Sequence, residues 1–247
     1  MIIRFALMCL ALLPLGGCSA NWGWYVVSPA TDQGRSNLFF LIGGLSTTLA
    51  LSLTAILIGM CLGFFVALPG LSPRKGWRRA NRIYVETLRA VPVLVLILWV
   101  YYGLPVVSGL AISTFWAGVL ALALSDSAFE AEIFRAGIQS VEQGQREAAK
   151  ALGLTPWQAM RLVILPQALR RILPALGNQF VYMLKMSSLV SVIGMSDLTR
   201  RANELVTAEY RPLEIYTVLV LEYLVLIVIV SALVRRLERR LSGPQQA

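Results

Sequence analysis

The sequence predicts an all-α, polytopic membrane protein with five core transmembrane helices, preceded by a signal-like segment or one extra hydrophobic helix. Hydrophobic residues make up 57% of its 247 residues and charged residues only 14%, whereas soluble globular proteins carry about 25% charged residues. Two long stretches, residues 38–68 and 91–125, contain no charged residue. Because about 20 apolar residues suffice for a helix to cross the bilayer, stretches of this length predict membrane spans.

The five spans are predicted at about residues 45–68, 88–107, 112–133, 173–195 and 213–234. The second and third come from one uncharged stretch that is too long for a single span. Gly103, Pro105 and Gly109 interrupt this stretch, and such residues favour a turn over a continuous helix. The stretch therefore predicts a helical hairpin.

The basic residues are concentrated in alternate loops. Of the 22 lysines and arginines, six lie in residues 74–89, six in 135–171 and four in 235–240. Since cytoplasmic loops carry an excess of Lys and Arg, these three segments are predicted to be cytoplasmic, which places the C-terminus inside. The net charge of +9 does not indicate nucleic-acid binding, because no basic patch is interleaved with aromatic residues.

The N-terminal residues 1–20 allow two interpretations. They combine Arg4, an apolar run and Leu15-Gly16-Gly17-Cys18, as in a bacterial lipoprotein signal, whose cysteine becomes lipidated. The alternative is an uncleaved extra hydrophobic helix. Both interpretations place residue 20 outside, so residues 21–40 are predicted to form a periplasmic approach segment and residues 239–247 a cytoplasmic tail.

Motifs for catalysis and metal binding are missing from the sequence. It has no histidine, and Cys9, Cys18 and Cys61 lack metal-ligand spacing, so no metal site is expected. A phosphate-binding loop of the G-x-x-x-x-G-K-[ST] type does not occur either. The sequence therefore predicts a protein that is not an enzyme, binds no cofactor and does not hydrolyse ATP itself.

The longest polar interval of the chain predicts two short helices joined by a turn. Residues 143–152 are good helix formers and precede Gly153, a residue typical of helix ends. Thr155 can cap a second helix and Pro156 suits its first position. Pro166 is expected to break that second helix.

A structured polar loop inside a membrane protein is most simply a docking surface. Glu147 offers an exposed carboxylate, and the small Ala148 and Ala149 allow close approach by another protein. The alternative is a pair of interfacial helices that has no partner.

The spacing of this interval resembles the EAA loop of ABC importer permeases. It reads Glu147-Ala148-Ala149-Lys150-Ala151-Leu152-Gly153 and then, nine residues later, Val163-Ile164-Leu165-Pro166, with Val163 where the family usually has Ile. Further stretches are similar to the polar amino-acid permeases, over about residues 45–238: Glu86-Thr87-Leu88-Arg89-Ala90-Val91-Pro92, Ala136-Gly137-Ile138-Gln139-Ser140, and Leu184-Lys185-Met186-Ser187-Ser188-Leu189.

The resemblance implies a type I permease domain over residues 41–238, located in the bacterial inner membrane. Such a subunit imports polar amino acids or related derivatives, pairs with a second permease subunit, identical or homologous, and receives substrate from a periplasmic solute-binding protein. An ABC ATPase dimer hydrolyses the ATP. The resemblance assigns the ATPase coupling to five residues: Glu147, Ala148, Ala149, Gly153 and Pro166.

Polar residues inside the predicted spans are the candidates for a translocation path. An ionised side chain in the bilayer centre costs at least about 2.5–3.5 kcal/mol, so Asp126 in the third span and Lys185 in the fourth need a role. They could pair with each other, or line the path and meet a zwitterionic substrate. Ser187 and Ser188, which follow Lys185, are further path candidates.

A secondary transporter or channel that works without an ATPase is the competing class. Many such proteins are built from internal repeats with broken helices at matching positions, and no such symmetry is evident in this sequence.

Overall fold

The structure is a computed structural model that describes residues 22–241, and all regular elements in this range are helical. The all-α prediction is therefore confirmed. A 3₁₀ turn at Trp24–Val27 precedes α1 (Asp32–Ile42), α2 (Leu45–Leu71), α3 (Lys75–Ala90), α4 (Val93–Leu98), α5 (Leu104–Ser108), α6 (Thr114–Gln139), α7 (Gln143–Ala151), α8 (Pro156–Ala159), α9 (Leu165–Met186), α10 (Leu198–Glu209) and α11 (Pro212–Leu241). Wider π turns join α4 to α5 and α8 to α9, and a second 3₁₀ turn, Ser187–Ile193, follows α9.

Helices α2 and α6 form the central pair of the molecule and make its most extensive helix contact. Glycines allow their backbones to approach closely. A Cβ atom added to Gly63 of α2 would lie 2.9 Å from the backbone oxygen of Ser127 in α6. Small residues spaced in this way are typical of helix contacts in membranes, where side-chain packing replaces the hydrophobic effect.

The largest apolar cluster surrounds this central pair. It joins Leu51 of α2 and Leu122 of α6 to Ile97 of α4, and Val190 of the second 3₁₀ turn closes it. These four side chains are at most 1% exposed. Of the helical hairpin predicted for residues 91–125, the second arm thus packs against α2, and the first arm packs against the second.

Helix α3 turns sharply into the second predicted span. The axis of Lys75–Ala90 makes an angle of 95° with that of Val93–Ser108. Val91 is extended, with φ −80° and ψ 125°, because the ring of Pro92 disfavours the helical conformation in the preceding residue. The helix after the bend therefore begins at Val93, five residues after the predicted start of the second span.

Length and hydropathy identify two helices that could each cross a membrane, Asp32–Leu71 and Pro212–Arg239. Two bent pairs, Lys75–Ala90 with Val93–Ser108 and Pro156–Ile193 with Leu198–Glu209, raise the number to four if each pair forms one span. Helix α6 is long enough but carries Asp126 and Glu130, which lower its hydropathy. The number of five spans remains a prediction.

The second helix of the polar loop does not end at Pro166, so this prediction was wrong. The backbone continues from α8 through a π turn, Met160–Ile164, directly into α9, with Pro166 at its beginning. The N–H of Leu165 bonds to the carbonyl of Met160, five residues back. This wider turn accommodates a proline that lacks its own N–H.

The end of the molecule opposite the polar loop is closed by α1, α10 and the beginning of α11. Val26, Leu41, Ala202 and Ile215 are buried together there. The segment predicted as an approach, residues 21–40, thus contains the first 3₁₀ turn and most of α1. The signal-like residues 1–20 lie outside the described residues. At the other terminus, α11 extends through Leu241, so the predicted tail from residue 239 begins as helix.

Candidate functional site

The polar loop is a helix–turn–helix whose turn requires glycine. Helix α7 ends at Ala151, and the backbone then adopts φ +75° at Gly153. A left-handed residue directly after a helix is the usual way to end it, and glycine adopts it without steric cost. The N–H of Leu154 bonds to the carbonyl of Ala149 at 3.1 Å, which folds the chain back over the end of α7.

Thr155 and Gln158 begin the second helix with reciprocal hydrogen bonds. The hydroxyl of Thr155 accepts from the N–H of Gln158 at 3.3 Å, and the side-chain oxygen of Gln158 accepts from the N–H of Thr155 at 2.9 Å. Pro156 occupies the first turn, where its missing N–H has no helical partner to lose. The predicted cap is confirmed.

Side chains fasten the loop to the rest of the molecule. Arg146 donates to the carbonyl of Ile138 at 2.8 Å, and Gln167 donates to the side chain of Gln145 at 3.1 Å. Arg171 of α9 donates to the carbonyl of Ser140. Ala149 is the buried residue of α7, so α7 rests on the core through one small side chain and these polar contacts.

The outer side of the loop exposes large apolar side chains beside a carboxylate. Leu152, Trp157 and Leu162 are 79%, 72% and 62% exposed. Glu147 is also exposed, and its Oε1 accepts from Nε2 of Gln143 at 2.7 Å. An apolar surface that a rigid loop holds away from the core is typical of a protein-binding site.

The predicted path residues lie apart from one another. Asp126 is only 3% exposed and accepts a hydrogen bond from the amide of Gln179 in α9. Lys185 is exposed and forms no ion pair in the part of the chain that the structure describes. The predicted pairing of Asp126 with Lys185 was therefore wrong. Ser187 and Ser188 donate to the carbonyls of Leu184 and Lys185, three residues back in each case.

Asp126 belongs to a buried acidic pair. Glu130, one helical turn further along α6, is completely buried. Neither carboxylate oxygen of Glu130 has a hydrogen-bond partner, and Oδ2 of Asp126 also lacks one. Buried polar groups are normally hydrogen-bonded, and the two carboxyl groups are close enough for a protonated one to donate to the other.

A cavity opens between the α3–α4 bend, α6 and α9, with a volume of about 720 Å³ including its open mouth. Arg89 lies at its wall, with the guanidinium 4.9 Å from the ring centre of Phe129. A smaller adjoining pocket shares Ser125, Phe129 and Tyr182 and has Asp126 in its lining. The two neighbouring pockets thus have a cation in the lining of one and a carboxylate in the lining of the other.

Sequence reasoning missed several residues of this space. Arg89 lies in the sequence where a charged helix meets an apolar span, so it was counted only as a basic residue of the loop. It lies at the cavity because the chain bends at Pro92, and the size of this bend could not be predicted from the sequence. Gln179 could have been recognised in the sequence as a candidate, because it is an amide in a mostly apolar span. Its hydrogen-bond partner could not be predicted, because it depends on the rotation of α9 about its axis. Lys185, Ser187 and Ser188 are not part of either lining.

Comparison with known proteins identifies the family. Residues 59–243 match the family described as binding-protein-dependent transport system inner membrane component. The glutamine transport system permease protein of Escherichia coli (strain K12) is 38% identical over 225 residues, which cover 90% of this chain and 98% of that protein. The arginine transport system permease protein of Bacillus subtilis (strain 168) is 37% identical over 204 residues, covering 83% of this chain and 93% of that protein.

Solved structures give the same result. A crystal structure of an amino acid ABC transporter with histidines contains a chain that is 45% identical, with a TM-score of 0.78, covering 83% of this chain and 96% of that one. The methionine ABC transporter in an inward-facing conformation shares the fold at 23% identity and a TM-score of 0.73. These relatives are transport components and not enzymes. The chain belongs to the family of inner membrane components of binding-protein-dependent transport systems.

Proposed function

We propose that this chain is the permease subunit of an ATP-driven importer for polar amino acids, and that a separate ATPase drives it through the loop formed by α7 and α8. Membership of the family implies an ATPase and a solute-binding protein as partners. The observation that carries the proposal is the outer side of the loop, where Leu152, Trp157 and Leu162 are exposed on a rigid helix–turn–helix.

The geometry of the loop supports a coupling role. Glu147 and Ala148 face outward, Ala149 faces the core, and Gly153 makes the turn between the helices. Because Arg146 and Arg171 tie the loop to backbone carbonyls near the end of α6, a displacement of the loop would move α6 and α9 together. Pro166 is exposed at the beginning of α9 and would sit beside the ATPase rather than within the turn.

The ATP would be bound and hydrolysed by the partner, since this sequence carries no phosphate-binding loop of its own. Two ATPase subunits would dock on two permease subunits, either two copies of this chain or this chain and a homologue. An effector changes a conformational equilibrium only if it binds the two states with different affinity. The ATPase dimer must therefore hold the two loops at different separations before and after it closes.

The substrate class is supported by the relatives and by the cavity. The relatives carry names that specify glutamine, arginine or cystine. A zwitterionic α-amino acid has one carboxylate and one ammonium group, and the two neighbouring pockets would offer Arg89 to the first and, where they open into each other, Asp126 to the second. Lys185, Ser187 and Ser188 are further candidates for the path, since they flank Met186 of the cavity lining.

The topology follows from the charge pattern. The loop of α7 and α8, the helix α3 and the end of α11 would face the cytoplasm, because these segments carry most of the basic residues. The protein is an inner membrane component, and this orientation places the C-terminus in the cytoplasm.

The decisive experiment separates docking from insertion. Glu147→Lys and Gly153→Trp are compared with Glu86→Lys, an equal charge reversal on the exposed face of α3. Uptake of labelled glutamine, arginine and cystine is measured in cells, and ATP hydrolysis is measured in complexes purified through a tag on this chain. We expect both loop variants to insert in the membrane in normal amounts but to lose uptake and the co-purified ATPase activity.

Full uptake by Gly153→Trp would overturn the proposal. Uptake that persists when ATP hydrolysis is abolished would instead favour the secondary-transporter class.

A further inference from the structure

Helix α3 is an amphipathic helix that lies across the span that follows it. It makes an angle of 95° with α4 and α5. Its inner face consists of Asn81, Tyr84, Val85 and Leu88, which recur at helical spacing and contact α2 and α6. Asn81 donates from Nδ2 to the carbonyl of Val66 at 2.6 Å. The contacts of this face begin near the ends of α2 and α6, where Asn81 lies beside Gly70, and continue to Ser127, which hydrogen-bonds to Tyr84. The first turns of α3 therefore lie at the level where α2 and α6 end, which is where an amphipathic helix meets the surface of a bilayer.

The free face of α3 is basic. Lys75, Arg78, Arg79 and Arg82 occupy one stripe of its first two turns, and all four are exposed. No ion pair or side-chain hydrogen bond involves them in the described residues 22–241. Positive charge at the beginning of a helix also opposes the helix dipole. The arrangement is therefore unfavourable for the isolated chain and favourable beside a negatively charged surface.

Two apolar side chains, Trp77 and Ile83, are exposed on other sides of α3 than this basic stripe. Trp77 is one helical turn before Asn81, on the stripe that is buried further along the helix, yet it is 54% exposed. Ile83 is 57% exposed. Trp77 is thus a part of the inner face of α3 that α2 and α6 leave uncovered. Tryptophan is enriched at membrane–water interfaces, where its ring is apolar and its N–H is polar.

We propose that the basic face of α3 binds anionic phospholipid in the cytoplasmic leaflet. The headgroup phosphates contact Arg78, Arg79 and Arg82, and the acyl chains pack against Trp77 and Ile83. The unpaired basic side chains and the exposed apolar side chains of α3 both fit this one ligand. A phospholipid combines a negatively charged headgroup for the first with apolar acyl chains for the second. Clusters of Lys and Arg on an amphipathic helix are attracted to anionic lipid headgroups.

The test uses Trp77 as a reporter in the full chain. A variant keeps this residue as its only tryptophan, and phenylalanine replaces the others: Trp22, Trp24, Trp99, Trp116 and Trp157. It is reconstituted in vesicles of phosphatidylcholine and phosphatidylglycerol in which only one of the two lipids carries brominated acyl chains. The quenching of Trp77 by each lipid then measures which lipid is enriched beside it.

We expect brominated phosphatidylglycerol to quench Trp77 beyond its share of the bilayer. The triple variant R78Q/R79Q/R82Q should lower this enrichment to near the share of phosphatidylglycerol in the bilayer, because it removes most of the positive charge of this face. The matched control R235Q/R236Q/R239Q removes the same charge from the end of α11 and should leave the enrichment at Trp77 unchanged. Raising the KCl concentration to about 1 M should suppress it, because the Debye length falls to about 3 Å.

Equal quenching by the two lipids would overturn the proposal, as would enrichment that persists in R78Q/R79Q/R82Q. A third outcome also overturns it. If R78Q/R79Q/R82Q loses co-purified ATPase activity in neutral detergent without phospholipid, the face binds a protein.

Discussion

Gly63 of α2 faces Glu130 of α6 so closely that a Cβ atom on the glycine would lie 2.7 Å from the Cβ of the glutamate. Real Cβ atoms do not approach one another to this distance, so the two helices can pack as they do only with glycine at this position. The same contact covers Glu130, whose carboxylate is completely buried.

Gly63→Ala should therefore destabilise the protein, because α2 and α6 must move apart or deform. Overpacking of this kind costs about 1–3 kcal/mol. The matched control is Gly76→Ala in α3, where an added Cβ meets nothing within 4 Å. Thermal unfolding of both variants in detergent measures the difference, and equal melting temperatures would contradict the packing described for α2 and α6.

Gln179→Leu should destabilise the chain by leaving the Asp126 carboxylate without its hydrogen-bond partner. An unsatisfied buried polar group costs about 1–3 kcal/mol, and a charged group costs more. Asp126→Asn is the informative companion, because the amide of Asn can still accept from Gln179 while the buried charge is removed. We expect the melting temperature to fall for Gln179→Leu and to change less for Asp126→Asn. The reverse order would show that the charge of Asp126 is needed.

Gly153→Ala should strain the turn between α7 and α8. An added Cβ meets no atom within 4 Å, but φ is +75°, a conformation that costs an L-residue about 1–2 kcal/mol. Gly144→Ala is the matched control, since its surroundings are equally open and it lies within α7. Alanine there should stabilise the helix by up to about 1 kcal/mol. Thermal stability that falls equally in both variants would contradict the role assigned to backbone conformation.

Asp197→Ala should weaken the beginning of α10. The Asp197 side chain accepts from the N–H of Arg200 at 2.8 Å, and losing such a cap costs about 1 kcal/mol. Asp197→Asn keeps an acceptor at the same position and should retain most of the stability. Urea unfolding of the two variants makes the comparison, and an equal loss in both would show that the charge rather than the cap matters.

Features that depend on neighbouring residues could be predicted from the sequence, and features that depend on helix rotation could not. Gly153, Thr155 and Pro156 determine the backbone conformation only of residues within one helical turn. The helix–turn–helix could therefore be predicted from these residues alone. The partner of Asp126 depends on the orientation of α9, which no local pattern specifies. Lys185 was close enough in depth to be a plausible partner, but it lies on another face of that helix.

Pro166 shows how a local rule can fail. A proline inside a helix removes one hydrogen bond and clashes with the preceding turn. The sequence therefore predicted that the second helix of the polar loop ends at Pro166. The π turn at Met160–Ile164 widens the helix just before the proline, and this combination has no distinctive sequence pattern. The bend between α3 and α4 has a clearer sequence signal, because a residue that precedes a proline, here Val91 before Pro92, disfavours the helical conformation.

The continuity from Pro156 to Met186 has a mechanical consequence. At 1.5 Å per residue this is a rod about 46 Å long, with Trp157 exposed near one end and Gln179 in contact with Asp126 towards the other. Pro174 lies between them and removes one backbone hydrogen bond from the helix. One continuous backbone thus carries both the exposed end that is offered to a partner protein and the amide that holds the buried acid, so a movement of the loop is coupled to the contact between Gln179 and Asp126.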